Sequence, residues 1–310
     1  MIRRKLTHRL GFENLEKRDV PAGNLTAVLS GADLFITGDS LGNEVRVTQN
    51  AQGTVQITGL NGTTVNGLTS VSFPRVNLDK AEINLGGGND RLILGSIQVA
   101  SDLMVQTSDG NDRVTLRGTI AGDKIFVSTG LGDDTIVGTD VAVLGDLNID
   151  GEDGATVVNL QRGDLNGSLS ILSKDANDRI TIADSTVTGD VSVNSGKGDD
   201  VLDLRDTFIG LNLALATDEG NDRVTATSLT IGEDFQLQTG KGNDVVTLTE
   251  VQVGKSATVN TDDGNDTVRV TNLYAAIDAI FVGGAGVDTL EDNGIFAGVK
   301  KEILEFESLV

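Results

Sequence analysis

Aliphatic residues return at one fixed interval through most of this chain. Leu92, Val114, Ile136, Val158, Ile180, Leu202, Val224, Val246, Val268 and Leu290 stand 22 residues apart without a gap. Further columns keep the same step, from Val99 to Ala275, from Leu103 to Ala279 and from Val105 to Phe281. Within a repeat, neighbouring apolar positions lie two apart, as at Leu92 and Leu94 or Leu103 and Val105. That is the alternation of a strand with one buried face. Each repeat predicts three short strands with inward aliphatics, separated by turns. A unit of this size cannot bury its apolar face alone, but stacked on its neighbours it forms a continuous core. The expected fold is all-β, a right-handed parallel β-helix (a solenoid) of ten 22-residue coils. At ~4.8 Å per coil the stack is about 48 Å long. An antiparallel sandwich would also place turns every 8–12 residues or so. Hairpins do not require a rigid period, whereas an insertion inside a coil breaks the stacking of a solenoid.

The ends depart from the period. Residues 1–22 read as a basic tail and 23–80 as irregular first coils or a β cap. The regular stack spans 81–290. Residues 291–310, with Lys300, Lys301, Glu302, Ile303, Leu304, Glu305, Phe306 and Glu307, read as a cap over the last open edge.

Composition narrows the function. The chain has 310 residues with 39 Gly, 2 Pro, no Cys, no Trp, one Tyr and one His, and a net charge of -22. Nucleic acid needs a basic footprint and is not an expected partner. An acidic surface suits cations, high salt or simple solubility. No apolar run approaches the ~18 residues of a membrane-spanning helix. Six of the 24 basic residues fall within the first 18 positions, without the apolar stretch of an ordinary secretory signal.

The candidate chemistry lies in one turn per coil. The turns usually read Gly-Asn/Asp-Asp, and their last residue is Asp90, Asp112, Asp134, Asp178, Asp200, Asp222, Asp244, Asp266 or Asp288. Thr156 takes that place in Gly154-Ala155-Thr156, and Ala176 replaces a turn glycine. The turns resemble the GGxGxDxUx nonapeptide of the RTX family. Gly283-Gly284-Ala285-Gly286-Val287-Asp288 with Thr289-Leu290 matches it in full, whereas the turns at Asp90, Asp134, Asp200 and Asp244 keep only G-x-G-x-D. The resemblance implies Ca2+ held between coils, with the nine aspartates as metal ligands. It is partial, because RTX coils carry two such columns and this chain carries one.

Stacked carboxylates must be neutralised somehow. At ~4.8 Å two charges repel by ~0.9 kcal/mol in water and roughly 3.5 kcal/mol at an effective dielectric of 20. Calcium, with its six to eight oxygen ligands, is one remedy. Turn backbone N–H groups are another. A third is a column of alternating charge three residues before the turn Asp, reading Asp175, Lys197, Glu219, Lys241, Asp263. A further column alternates Asp with another polar residue: Asp102, Lys124, Asp146, Ser168, Asp190, Asn212, Asp234, Ser256, Asp278. There each Asp is expected to accept from the coils on both sides.

Near the start, Phe12-Glu13-Asn14-Leu15-Glu16-Lys17-Arg18-Asp19-Val20-Pro21-Ala22 resembles the FExLExRxxPA segment of planctomycete exported and surface proteins. That resemblance implies a secreted or cell-surface location, with cell-envelope or matrix components as partners.

Enzymatic β-helices build clefts from loops inserted between coils and grip sugars with aromatics. This chain has no insertion through the repeats, and its best acid/base grouping, Asp203, Arg205 and Asp206, reads as a solvated coil edge. His8 falls in the tail. A non-enzymatic structural protein of surface or matrix is the leading expectation. Two others stay open: an adhesion module presenting a flat face, hinted at by outward Met104, Phe126, Leu172, Ile280 and Val282, and a carbohydrate-active β-helix.

Overall fold

The computed structural model describes residues 23–309. The basic cluster, His8 and the segment 12–22 lie outside the described residues. Within them the chain is strand and turn throughout, with no helix. It winds as a parallel β-solenoid of about ten coils, each residue pairing with the one 22 positions on, as in Leu103↔Ile125, Ile125↔Leu147 and Leu147↔Leu169.

Two sheets enclose the core. A 14-stranded sheet carries the strand represented by Leu103–Gln106, and a 19-stranded sheet carries those represented by Arg113–Arg117 and Ile120–Ala121. The expected aliphatic columns fill the space between them, with Phe235 and Phe281 as the largest fully buried side chains. Alternation decides which residues these are, because a slip of one residue would expose the whole apolar set.

The expected three strands per coil are present from Arg91 to Asn194. From Val201 onward the first two merge into single nine-residue strands, Val201–Ile209, Arg223–Ile231, Val245–Val253, Thr267–Ala275 and Thr289–Ala297. The corner between them is nevertheless bent in every coil. Ser96, Gly118, Asp140, Arg162, Asp184, Asp206, Ser228, Glu250, Asn272 and Gly294 all have positive φ, from 49° at Asp206 to 118° at Gly294. One left-handed residue turns the chain while the next residue stays in the sheet, and Asp, Asn, Ser and Gly tolerate this best. Backbone pairing runs through the bend in the later coils, where Thr207, Leu229, Val251 and Leu273 are buried and in register. At one earlier bend a side chain intervenes, the Gly163 N–H donating to Ser185 Oγ at 3.0 Å.

The N-terminal end is closed by hairpins. Asn24–Ser30 pairs antiparallel with Asp33–Thr37, which continues the 14-stranded sheet by pairing parallel with Ala81–Asn84. Glu44–Gln49 pairs parallel with Arg91–Gly95 and antiparallel with Val55–Gly59, and that strand pairs with Ser70–Phe73. At the other end Lys300–Leu304 is a further in-register strand beside Asp278–Val282 rather than a plug laid across the core. Phe306 and Ile303 pack against the core's last layer.

Candidate functional site in the stacked turns

A glycine with positive φ sits two residues before the turn Asp in most coils. At Gly242, φ is 143° and a Cβ would overlap the Gly220 carbonyl of the preceding coil. Glycine there lets successive turns approach closely, so that side chains on either side of it reach from coil to coil. Ala176 occupies the same place with φ 140°, a conformation unfavourable for a residue with a Cβ.

The tight stacking draws the turn Asp inward. All nine candidate aspartates are buried, each at most 2% exposed. Each Oδ1 accepts from a backbone N–H of the coil before it. The Asp200 N–H donates to Asp222 Oδ1 at 2.8 Å, the Asp222 N–H to Asp244 Oδ1 at 2.8 Å, and so on to Asp288. The column has a partner at both ends. At the N-terminal end the Asn43 N–H donates to Asp90 Oδ1 at 2.6 Å across 47 residues, so Asn43 is the turn residue of a coil carrying the inserted hairpin. At the C-terminal end the Asp288 N–H donates to Glu307 Oε2 at 2.7 Å, and Glu307 replaces the next turn Asp three residues early.

The residue just before the turn Asp forms a second ladder running the opposite way. Its side-chain oxygen accepts from the following coil: the Asn221 N–H donates to Asp199 Oδ1 (2.7 Å), the Asn243 N–H to Asn221 Oδ1 (3.0 Å) and the Asn265 N–H to Asn243 Oδ1 (2.9 Å). Buried turn amides are thus satisfied from both sides by side chains.

The other carboxylate oxygen decides the charge. In all nine aspartates Oδ2 is buried without a hydrogen-bond partner. Beside most of them stands a hydroxyl from five residues earlier: Thr107, Thr129, Ser173, Ser195, Thr217, Thr239 or Thr261. Several of these hydroxyls donate onward, Thr217 Oγ1 to the Thr239 carbonyl at 3.1 Å and Thr239 Oγ1 to the Thr261 carbonyl at 3.3 Å. Where the hydroxyl donates onward, only a lone pair remains toward Oδ2, whereas the Thr129 and Ser195 hydroxyls have no other partner and are free to donate to the acid, which lowers its pKa. Two acceptors facing each other are satisfied when Oδ2 carries the proton and donates. Burial acts the same way, since it disfavours the charged form. It pushes the Asp112, Asp134, Asp178, Asp222 and Asp266 carboxyls up to about 6 and Asp200 to about 7. Asp90, with Leu85 where most of the others have a hydroxyl, is pushed to about 8, and Asp244 and Asp288 also move up. The stacked acids therefore need no counter-ion where burial keeps them neutral.

Calcium takes six to eight oxygen ligands. Each turn Asp offers one partnerless oxygen enclosed by the wall, in most coils beside a hydroxyl of its own coil. Among the described residues no three His, Cys, Asp or Glu side chains converge as a metal site. The geometry of this column is that of a backbone acceptor ladder.

No protein-family model, curated protein or solved structure matches the chain.

The other columns are placed as follows. Lys197 and Lys241 flank Glu219, each Nζ 3.5 Å from a Glu219 carboxylate oxygen, so charge alternates along the surface. In the Asp-and-partner column the acceptors from Asp146 to Asp234 take the N–H of the following coil, Ser168 N–H to Asp146 Oδ1 (2.8 Å) and Asn212 N–H to Asp190 Oδ1 (3.1 Å). The expected two-sided acceptance is not seen at Asp146, Asp190 and Asp234, which accept from the following coil. Asp203 and Arg205 form an ion pair at 2.7 Å on the outer wall, with Asp206 at the adjacent bend. Met104, Phe126 and Leu172 line one shallow groove with Asp102, Lys124 and Asp150, whereas Ile280 and Val282 lie several coils away.

Proposed function

We propose that the chain is a non-enzymatic structural rod of an exported surface or matrix layer. The observation that carries this reading is the use of the acidic columns. The turn aspartates, the Asn/Asp ladder beside them and the Asp146-to-Ser256 column all bond the backbone of an adjacent coil. They hold a long, uninterrupted stack together and converge on no reacting centre. The resemblance of residues 12–22 to an export-associated segment supports the location. A Ca2+ requirement is not part of this reading, in which each turn Asp serves as the Oδ1 acceptor of a neighbouring coil's N–H. Fractionating producing cells into cytoplasm, envelope and medium, with antibodies against the solenoid, tests it. Recovery in envelope or medium supports the proposal, and confinement to the cytoplasm overturns it.

A further inference from the structure

The bent corner of the 19-stranded sheet carries a groove that the structural role does not use. At the bend, Ser228, Glu250 and Asn272 point outward, and two residues further on stand Thr230, Gln252, Tyr274 and Phe296. Together they line a trough of about 510 Å³ along four coils. Tyr274 and Phe296 are strand partners in adjacent coils and are 51% and 57% exposed. In a chain with 3% aromatic residues this pairing in solvent has no core to serve. Phe296 is also shaped by its neighbour. A Cβ on Gly294 would stand 3.1 Å from Phe296 Cε2 and 3.3 Å from Asn272 Oδ1, so the missing side chain lets the ring lie back over the bend beside the amide. Two ring faces thus adjoin a row of hydroxyl, carboxylate and amide groups.

We propose that this corner groove binds a neutral polysaccharide, sugar rings stacking on Tyr274 and Phe296 and hydroxyls bonding Glu250, Gln252 and Asn272. The chemistry selects the occupant. Sugars combine apolar ring faces with rows of hydroxyls that both donate and accept, matching aromatic platforms beside amides and carboxylates. The groove is lined by no cation, and the chain carries -22 overall, which disfavours acidic glycans and other polyanions. Within the groove Thr230, Gln252, Tyr274 and Phe296 are already paired strand to strand, so no polypeptide strand can insert between the coils that carry them.

Tyr274 is the only tyrosine and there is no tryptophan, so intrinsic emission reports on this groove alone. The full chain is titrated with hexasaccharides of glucose, xylose, mannose and N-acetylglucosamine, with alginate as the acidic control. A saturable emission change with at least one neutral glycan is expected. Phe296→Ala should weaken that binding on the order of tenfold, read as Kd. Met104→Ala, on the opposite sheet, should leave it unchanged, and circular dichroism should show both variants folded. Tyr274→Ala, followed by retardation in gels containing the glycan, should lose binding. The proposal is overturned by silence toward every neutral glycan, by unchanged affinity in Phe296→Ala, or by preferential binding of alginate.

Discussion

Two coils of this stack meet the same demand by different means. In the coil ending at Asp222, the carboxyl accepts the buried Asp200 N–H, and Thr217 stands beside it. In the coil ending at Thr156 there is no carboxyl. There the Asp134 N–H donates instead to the Ala155 carbonyl at 2.9 Å, and strand pairing extends one residue further, to Asp134↔Thr156. The hydroxyl position five residues earlier is Gly151, where a Cβ would overlap Thr156 Oγ1 and lie 2.8 Å from its Cγ2. The strand also slips register between Asp150 and Glu152. In the seven coils from Asp112 to Asp266 that keep the acid, a hydroxyl stands five residues earlier, and the coil that lacks the acid lacks the hydroxyl too. The difference teaches that the turn Asp is one half of a packed pair whose task is to accept a neighbour's amide.

The sharpest way to break that comparison is to force the ordinary hydroxyl into the exceptional coil. Gly151→Thr should cost about 3 kcal/mol in chemical denaturation, because the added atoms have nowhere to go. Adding Thr156→Asp should recover part of the loss, since it recreates the usual pair. Strict additivity of the two substitutions would show that the positions are uncoupled.

Removing an acid from an ordinary coil comes next. Asp222→Ala leaves the Asp200 N–H buried without an acceptor and should cost about 2 kcal/mol. Thr156→Ala, where no such amide depends on the side chain, should cost clearly less by the same measurement.

Acidity offers a third probe. These carboxyls ionise near 3.9 when unfolded and at about 6 to 8 in the folded chain for those with stated values. Folding therefore takes up protons between those limits. Their stabilisation is complete below about pH 4 and is lost as the pH rises through about 6 to 8. Melting temperature should be higher at pH 5 than at pH 8.5. A higher value at pH 8.5 would mean that folding does not raise the pKa of these acids.

The smallest effect belongs to the exposed charge ladder. Lys241→Glu places an acid beside Glu219 and near Asp263, so stability should fall slightly at low salt and not measurably at high salt. A salt-independent loss would point to packing rather than charge.

Much of this molecule could be read from its spacing. The 22-residue step sets the coils, and the period of two names the inward columns, because only one register buries the aliphatics. The corner column was hidden, since Arg162 and Glu250 carry none of the usual left-handed preference that Asp140, Ser228 and Asn272 share. The insertion between Asn43 and Asp90 concealed the first turn, and the early arrival of Glu307 concealed the last. The turn aspartates stand at the positions the spacing named, and their burial is signalled in the sequence only by the Thr/Ser column five residues earlier, with Gly151 facing Thr156.

The central claim is that these carboxyls act as acceptors for a neighbouring coil's backbone, in a site whose burial favours their neutral form. The most direct measurement is the melting temperature of Asp222→Asn with Asp244→Asn at pH 8, in chelator and in millimolar Ca2+. An amide keeps the Oδ1 acceptor, and its NH2 can donate toward Thr217 or Thr239 as a protonated acid would. The double variant should be at least as stable as the parent, and neither protein should respond to calcium. A parent that gains stability with Ca2+, and a variant that loses both stability and that gain, would contradict the account.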